Sequence, residues 1–354
     1  MGTSHLPQLL IVGMDGEGPS SRLIRLIERG IGGIILYERN GEEASRVGDL
    51  IGELQGIARR AGQPPLIIAV DQEHGPVTRI KKGVTLFPSP LELASRGEEA
   101  VGEMARVTAE ELSAIGINLN LAPVADLLLA ESGVIGERSF GPDPERVAGL
   151  VAAYVRELQG GGVAACAKHF PGHGACREDS HKALPLLDLP LDLLRKREFL
   201  PFREAIRAGV ATVMVGHILV PSLDSKNPAT FSTEAIGGVL RGELGFAGAV
   251  ISDDILMGAL SAWPLVERAL LALRGGVDML LVSEEEEGEE VLEGLMRSWE
   301  GGGLPPGRIA EAAKRVAALK GRFLSWFREM WDSEGGGKIG GHPLWVKLFG
   351  GGGP

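Results

Sequence analysis

The sequence predicts an α/β protein built as a single (β/α)8 barrel of the TIM type. Eight short apolar runs recur along the chain, and amphipathic stretches of helical length separate most of them. Near-continuous hydrophobicity within such runs is typical of parallel strands that are buried on both faces. Strand–helix alternation repeated in this way favours a closed barrel over an open doubly wound sheet, which is the structural alternative. No Gly-x-Gly-x-x-Gly motif follows the first run, and this weakens a dinucleotide-binding version of the open sheet.

The predicted elements follow in chain order. The strands are Leu9–Met14, Gly33–Tyr37, Leu66–Val70, Ile117–Val124, Val163–Lys168, Ala211–Gly216, Ala249–Ser252 and Val277–Val282. The clearest helices are Gly41–Ala61, Glu98–Ile115, Pro144–Gly160, Leu191–Ala208, Thr233–Leu244, Leu260–Arg274 and Glu284–Trp299, with a closing helix over Pro305–Trp326. Asp143 before Pro144 is typical of a helix start, because an acceptor side chain caps the first turn and proline fits its first position.

The connections after the strands are unequal in length. Asp71–Ala94, Leu127–Pro142 and the 169–190 segment are long, and in a barrel all three emerge on the face where sites form. We expect residues 1–330 to form the catalytic barrel. Residues 331–354 are Gly-rich and are expected to form a flexible tail.

Composition limits the class of partner. The formal net charge of −11 argues against nucleic acid or an anionic membrane as a main partner. Two cysteines cannot form a disulfide framework, and we expect Cys166 in the core and Cys176 as an incidental loop thiol. The N-terminus lacks the features of a signal peptide, and no apolar run reaches the ~18 residues of a membrane span. We therefore expect a soluble cytoplasmic protein that is a monomer or a weak dimer.

The densest polar stretch runs from Lys168 to His181 and holds three of the seven histidines. It directly follows a predicted buried strand, which is the layout expected of an active site on an α/β scaffold. Other polar side chains at successive strand ends would converge on the same pocket and would suit a hydroxyl-rich substrate. They are Asp71, Asp126, Arg138, His217, Asp253 and Asp254. We expect Asp126 to be structural.

Spacing alone leaves a metal site open. His169, His173, Asp179 and His181, together with Cys176, could form the ligand set of a metal-dependent barrel hydrolase.

The string Lys168-His169-Phe170-Pro171-Gly172-His173-Gly174, followed by Asp179-Ser180-His181, resembles the hallmark of glycoside hydrolase family 3. It is most similar to the β-N-acetylglucosaminidase branch involved in peptidoglycan recycling. Supporting similarities run through most of residues 9–325. One departure lies after Asp71: the family usually continues its Asp-x-Glu segment with Gly-Gly-Arg-Val, whereas this chain has His74-Gly75-Pro76-Val77.

The resemblance implies a retaining mechanism with Asp253 as nucleophile. It implies His181 as acid/base, oriented by Asp179, and these two residues could face the same side of an extended loop. A histidine with a pKa near neutrality can protonate a leaving oxygen and later deprotonate water, while a carboxylate fixes its tautomer. The same resemblance implies that five residues contact the sugar or position it, and we expect Asp254 to lie behind them in a supporting role. They are Asp71, Arg138, Lys168, His169 and His217.

The expected activity is an exo-β-N-acetylglucosaminidase acting on a muropeptide or chitooligosaccharide, with no metal or organic cofactor. The alternatives within the family are a β-glucosidase and a β-N-acetylglucosaminide phosphorylase. Family 3 β-glucosidases usually carry their acid/base on an additional domain, for which we expect no room after residue 325. A sugar-binding protein without catalysis is the other class, and it would not need Asp253, Asp179 and His181 as a set.

Overall fold

The computed structural model describes residues 5–129 and 134–324. Within them eight parallel strands close into a barrel in which each strand pairs with its neighbours in sequence and the last pairs with the first. The strands are β1 Leu10–Gly13, β2 Gly33–Leu36, β3 Ile67–Val70, β4 Leu119–Asn120, β5 Ala164–Phe170, β6 Thr212–Val215, β7 Ala249–Asp254 and β8 Met279–Val282. The predicted (β/α)8 barrel and all eight predicted strands are confirmed.

Helices surround the barrel. They are α1 Ser21–Glu28, α2 Ala44–Arg60, α3 Pro90–Arg96, α4 Glu98–Ala114, α5 Pro144–Gly160, α6 Leu191–Lys196, α7 Phe199–Arg207, α8 Leu265–Gly275, α9 Glu285–Glu300 and α10 Pro306–Phe323, with a π-helical segment at Glu234–Glu243. Every residue of β1, β2, β3 and β6 is buried, as expected for strands covered by helices outside and by packed side chains inside.

The structure differs from the predicted helices in three ways, two of which have a local cause. The helices α1 and α3 lie outside the predicted set, and each begins at a serine cap: Ser20 accepts from the amide of Leu23, and Ser89 from that of Glu92. The predicted helix Leu191–Ala208 is divided between α6 and α7, because Arg197 leaves helical geometry. The predicted helix at Thr233–Leu244 is wound as the π-helical segment.

Two expectations concern other parts of the chain. The predicted tail, residues 331–354, lies outside the described residues, as do residues 325 and 326 of the predicted closing helix. Across residues 5–129 and 134–324, no helix is both long and apolar enough to cross a membrane.

A buried carboxylate fastens the last helix to the amino-terminal end of the barrel. Asp278 immediately precedes β8 and is fully buried, and its Oδ2 accepts from the amide of Val250 at 2.9 Å. Its carboxylate also contacts Arg241 at 2.6 Å, Arg308 at 2.7 Å and Arg315 at 3.2 Å. One charge therefore joins β7, β8, α10 and the π-helical segment.

We predict that Asp278→Asn lowers the free energy of unfolding by about 3–5 kcal/mol, because three partly buried guanidinium groups lose their buried counter-ion. Urea denaturation followed by circular dichroism measures this. Asp192→Asn is the control, since the Asp192 side chain is 86% exposed and forms an ion pair with Arg195 on its own helix. Similar losses in both variants would contradict the prediction.

Candidate active site

The predicted site residues gather at the carboxyl ends of the strands. Asp71 follows β3, Lys168 and His169 lie near the end of β5, and Asp253 lies near the end of β7. In a parallel barrel these ends share one face. The pairing of β5 with β6 shifts register between Ala167 and Phe170, so the strand is irregular where Lys168 and His169 lie.

Four charged side chains form an ion cluster on this face. Lys168 Nζ lies 2.6 Å from Asp71 Oδ1 and 2.6 Å from Glu73 Oε1. Arg138 binds both oxygens of Glu73, through Nε at 2.8 Å and Nη2 at 2.9 Å. Two predicted residues, Asp71 and Lys168, are thus in direct contact. The third, Arg138, is joined to them through Glu73, a residue that sequence reasoning missed.

Glu73 is charged in spite of its burial. Its side chain is 1% exposed, and burial alone would raise its pKa. The charges of Lys168 and Arg138 outweigh burial and lower the pKa of Glu73 to about 2. In turn, burial would lower the pKa of Lys168, but Asp71 and Glu73 raise it above its usual value. At neutral pH, Glu73 is therefore a carboxylate, and Lys168 and Arg138 are cations.

Asp126 organises the turn after β5. Its Oδ2 accepts from His169 Nδ1 at 2.7 Å and from the His169 amide at 3.1 Å, and its Oδ1 accepts from the His173 amide at 2.6 Å. Burial would raise the pKa of the Asp126 carboxyl, but His169 and His173 hold it below its usual value. A carboxylate at Nδ1 places a proton there and fixes the ring, which leaves Nε2 of His169 for other partners.

Two adjacent carboxyl groups at the end of β7 have opposite pKa shifts. Burial would raise the pKa of Asp253, but His169, His217 and Lys168 together hold it below its usual value. Burial, helped by the charge of Asp253, raises the pKa of Asp254 to about 6. Asp253 therefore carries the more persistent charge.

The Asp254 carboxylate accepts hydrogen bonds from nearby backbone amides. Its Oδ1 accepts from the amide of Leu256 at 3.1 Å and from that of Ser283 at 3.2 Å. These contacts join the loops that follow β7 and β8, which agrees with the supporting role expected for Asp254.

His217 lies within the wall of the barrel. It is fully buried, with Nδ1 2.7 Å from Thr230 Oγ1 and Nε2 2.9 Å from the carbonyl oxygen of Asp254. The carbonyl can only accept, so Nε2 donates. Burial lowers the pKa of His217. The Thr230 hydroxyl also lies 3.0 Å from the carbonyl oxygen of Gly216, to which it donates its one proton. Both ring nitrogens are engaged, so the geometry favours support of the Asp253–Asp254 segment over the expected sugar contact.

Asp179 and His181 form a direct pair on the loop after β5. His181 Nδ1 lies 2.8 Å from Asp179 Oδ1, and the same oxygen accepts from the His181 amide at 2.9 Å. Burial would raise the pKa of Asp179, but these bonds hold it below its usual value. The His181 side chain is 65% exposed, so its Nε2 is free to meet a substrate.

Tyr37 is a further residue of this face that sequence reasoning missed. The guanidinium carbons of Arg39 and Arg79 lie 4.9 and 5.9 Å from its ring centroid. Burial, followed by the charges of Asp254 and Asp71, raises the pKa of its hydroxyl. The position of Tyr37 in the sequence could have indicated this. Tyr37 ends the second apolar run, just as Asp71 follows the third.

The departure from the family pattern at His74 has a structural explanation. His74 has φ 70°, in the left-handed region that glycine adopts without cost. Its ring is buried with an edge toward Phe87, and its Nε2 lies 2.7 Å from Thr108 Oγ1. Thr108 donates to the carbonyl of Met104, so Nε2 of His74 donates to Thr108 and its buried Nδ1 has no partner. The ring therefore sits in the core as a neutral group.

The alternative metal set is not assembled. Among the described residues no three His, Cys, Asp or Glu side chains converge in a way that could hold a metal ion. Cys166 and Cys176 are both buried and free. Burial raises the pKa of the Cys176 thiol to about 12, so it packs as an apolar side chain.

Several known proteins are similar to this chain. The family model described as "Glycosyl hydrolase family 3 N terminal domain" matches residues 5–319. A β-hexosaminidase of Neisseria gonorrhoeae is 42% identical over 267 residues, covering 73% of each chain. A β-hexosaminidase of Thioalkalivibrio sulfidiphilus is 39% identical over 313 residues, covering 86% of each chain.

A solved structure shares the architecture. The glycoside hydrolase family 3 β-N-acetylglucosaminidase from Paenibacillus sp. str. FPU-7 superposes with a TM-score of 0.89 at 41% sequence identity. The match covers 92% of this chain and 63% of that chain, so the chain spans less than two thirds of that relative.

We predict that His74 makes stability depend on pH. Burial lowers the pKa of His74 from 6.5 to about 4, so between these values the unfolded chain binds a proton that the folded chain excludes. Its contribution is complete above pH 6.5 and is lost as the pH falls toward 4, by about 3 kcal/mol in total. Urea denaturation at several pH values should give a shallower decline for His74→Asn, because asparagine tolerates positive φ and does not titrate. Parallel curves for the two proteins would refute the assignment.

Proposed function

We propose that this chain, which belongs to glycosyl hydrolase family 3, releases terminal β-linked N-acetylglucosamine by double displacement at Asp253. One observation carries the mechanism. The Asp179–His181 pair, in contact at 2.8 Å, lies on a loop whose backbone is hydrogen-bonded to the segment after Asp253. This arrangement supplies an ionised carboxylate and an exposed imidazole from neighbouring loops.

In the first step the Asp253 carboxylate attacks the anomeric carbon. His181, protonated at Nε2, donates that proton to the glycosidic oxygen as the bond between this oxygen and the anomeric carbon breaks. The products are a glycosyl ester of Asp253 and a free alcohol. Asp179 holds the imidazole through Nδ1 throughout and stabilises its charged form.

In the second step water replaces Asp253. His181, now neutral, takes a proton from water through Nε2, and the water oxygen bonds to the anomeric carbon. The ester bond breaks and Asp253 leaves as a carboxylate. An imidazole in this role places no second anion beside the nucleophile, so it does not raise the pKa that the nucleophile needs to keep low.

The ion cluster and His169 are assigned to the sugar. Asp71 and Arg138 side chains are each 15% exposed, so each can present oxygens or N–H groups to hydroxyls. Lys168 is 2% exposed and acts by positioning Asp71. His169, held by Asp126, offers Nε2.

The acetamido preference rests on the related β-hexosaminidases and β-N-acetylglucosaminidase, and a muropeptide or a chitooligosaccharide is the proposed natural substrate. Aryl β-N-acetylglucosaminide should be cleaved faster than aryl β-glucoside. Turnover that requires phosphate would identify a phosphorylase instead.

We predict that a 2-fluoro or 5-fluoro glycoside with a good leaving group forms a stable ester with Asp253, because the fluorine slows both steps and the leaving group speeds only the first. Peptide mapping by mass spectrometry should locate the label, and Asp253→Asn should not be labelled. A label on another residue would overturn the nucleophile assignment.

We predict that His181→Ala lowers kcat/KM for an alkyl β-N-acetylglucosaminide by about 10²–10⁴, because an alkoxide needs a proton in order to leave. A dinitrophenyl glycoside needs no proton, so its kcat/KM should change far less. An exposed residue of the same loop provides a control, Arg177→Ala, which should retain both rates. Equal losses on both substrates would remove His181 from the acid/base role.

A further inference from the structure

The loop that carries the Asp179–His181 pair is fastened to the loop after β7. The amide of Gly258 donates to the carbonyl of His181 at 3.2 Å, and the amide of Ala259 donates to that of Ser180 at 3.0 Å. Asp253 lies on β7 only a few residues before Gly258. A short piece of chain therefore connects the proposed nucleophile with the backbone of the proposed acid/base.

Gly258 is needed for this contact because of space. A Cβ at this position would lie 2.5 Å from the carbonyl oxygen of His181 and 3.1 Å from that of Lys182. Both neighbours are backbone atoms, which cannot rotate away as a side chain can. Gly258 begins a 3-10 turn that ends at Leu260, and the amide of Met257 donates to the carbonyl of Asp254 at 3.0 Å. The start of the loop after β7 is thus fixed by backbone hydrogen bonds, and the loop that carries His181 packs against it.

A second anchor holds the other side of the pair. Ser180 is 2% exposed, and its Oγ lies 3.1 Å from Nε2 of His173. His173 is itself buried, and its amide donates to the Asp126 carboxylate that orients His169. A continuous line of contacts therefore runs from the proposed sugar-binding His169 to the residue between Asp179 and His181.

We propose that Gly258 and Ser180 are positioning residues that set the reach of His181 relative to Asp253. This inference rests on the proposed function. The exposed His181 ring has little packing of its own, so its place is set by the anchors on its backbone and on Ser180. Proton transfer needs heavy atoms within about 2.6–3.2 Å, and a displacement near 1 Å can cost about 10²-fold in rate.

The test is Gly258→Ala, with kcat/KM measured on an alkyl and a dinitrophenyl β-N-acetylglucosaminide. The added methyl should push the dyad loop away, lowering the alkyl rate by about 10–100-fold and the dinitrophenyl rate by less than about threefold. The matched control is Gly237→Ala, because a Cβ at Gly237 would meet no atom within 4 Å. It should leave both rates unchanged.

A gentler variant removes only a hydroxyl. Ser180→Ala should lower the alkyl rate by about 2–10-fold with the dinitrophenyl rate retained, as expected for one lost hydrogen bond. Circular dichroism and thermal unfolding establish that each variant is folded. Equal losses on both substrates, or no loss on either, in folded Gly258→Ala and Ser180→Ala would overturn the proposal.

His181→Ala, assayed in parallel, separates the two levels of inference. If it discriminates between the substrates and the anchor variants do not, the positioning role fails and the acid/base role stands. If His181→Ala itself fails to discriminate, the acid/base role fails and the positioning role fails with it.

Discussion

The buried contact between Glu73 and Lys168 is the interaction on which the site depends. It joins the loop after β3 to the end of β5, and Arg138 brings in the connection before α5. Two buried charges are costly to bring together, and each is tolerable only while the other is present. The lysine that orders Asp71 is therefore also the counter-ion of a core carboxylate. The proposed sugar binding and local stability are linked through one ammonium group, so a loss of activity on changing Lys168 would not by itself distinguish them.

Around this rigid base the proposed chemistry is divided between two environments. Asp253 belongs to a strand end and is surrounded by His169, His217 and Lys168, which keep its charge in place. The Asp179–His181 pair is exposed and relies on backbone contacts and on its own short hydrogen bonds. A nucleophile gains from a fixed, electrostatically tuned position, whereas a group that must exchange protons with both alcohol and water gains from access to solvent.

The barrel was predictable because its strands are buried on both faces. Strands of this kind consist of unbroken apolar runs, which are visible in the sequence. Short elements have weaker sequence signals. Helix α3 has seven residues inside a long predicted loop, and its sequence signals are a serine cap and a proline in the first turn. The strand-end residues of the site were equally visible. Glu73 was not, because its role depends on Arg138, 65 positions away in the sequence. The hydrogen bond between His217 and Thr230 likewise joins residues from different segments, and such pairing cannot be read from local pattern.

Asp278 and its three arginines lie at the amino-terminal end of the barrel, opposite the face that holds Asp253. The two ends can therefore evolve under different pressures. Loops on the face that holds Asp253 can be lengthened or exchanged to suit another aglycone, while the contacts of Asp278 continue to stabilise the opposite end. In directed evolution for heat tolerance, stabilising substitutions are best sought around α10, because changes there leave the geometry of the proposed reaction unaltered.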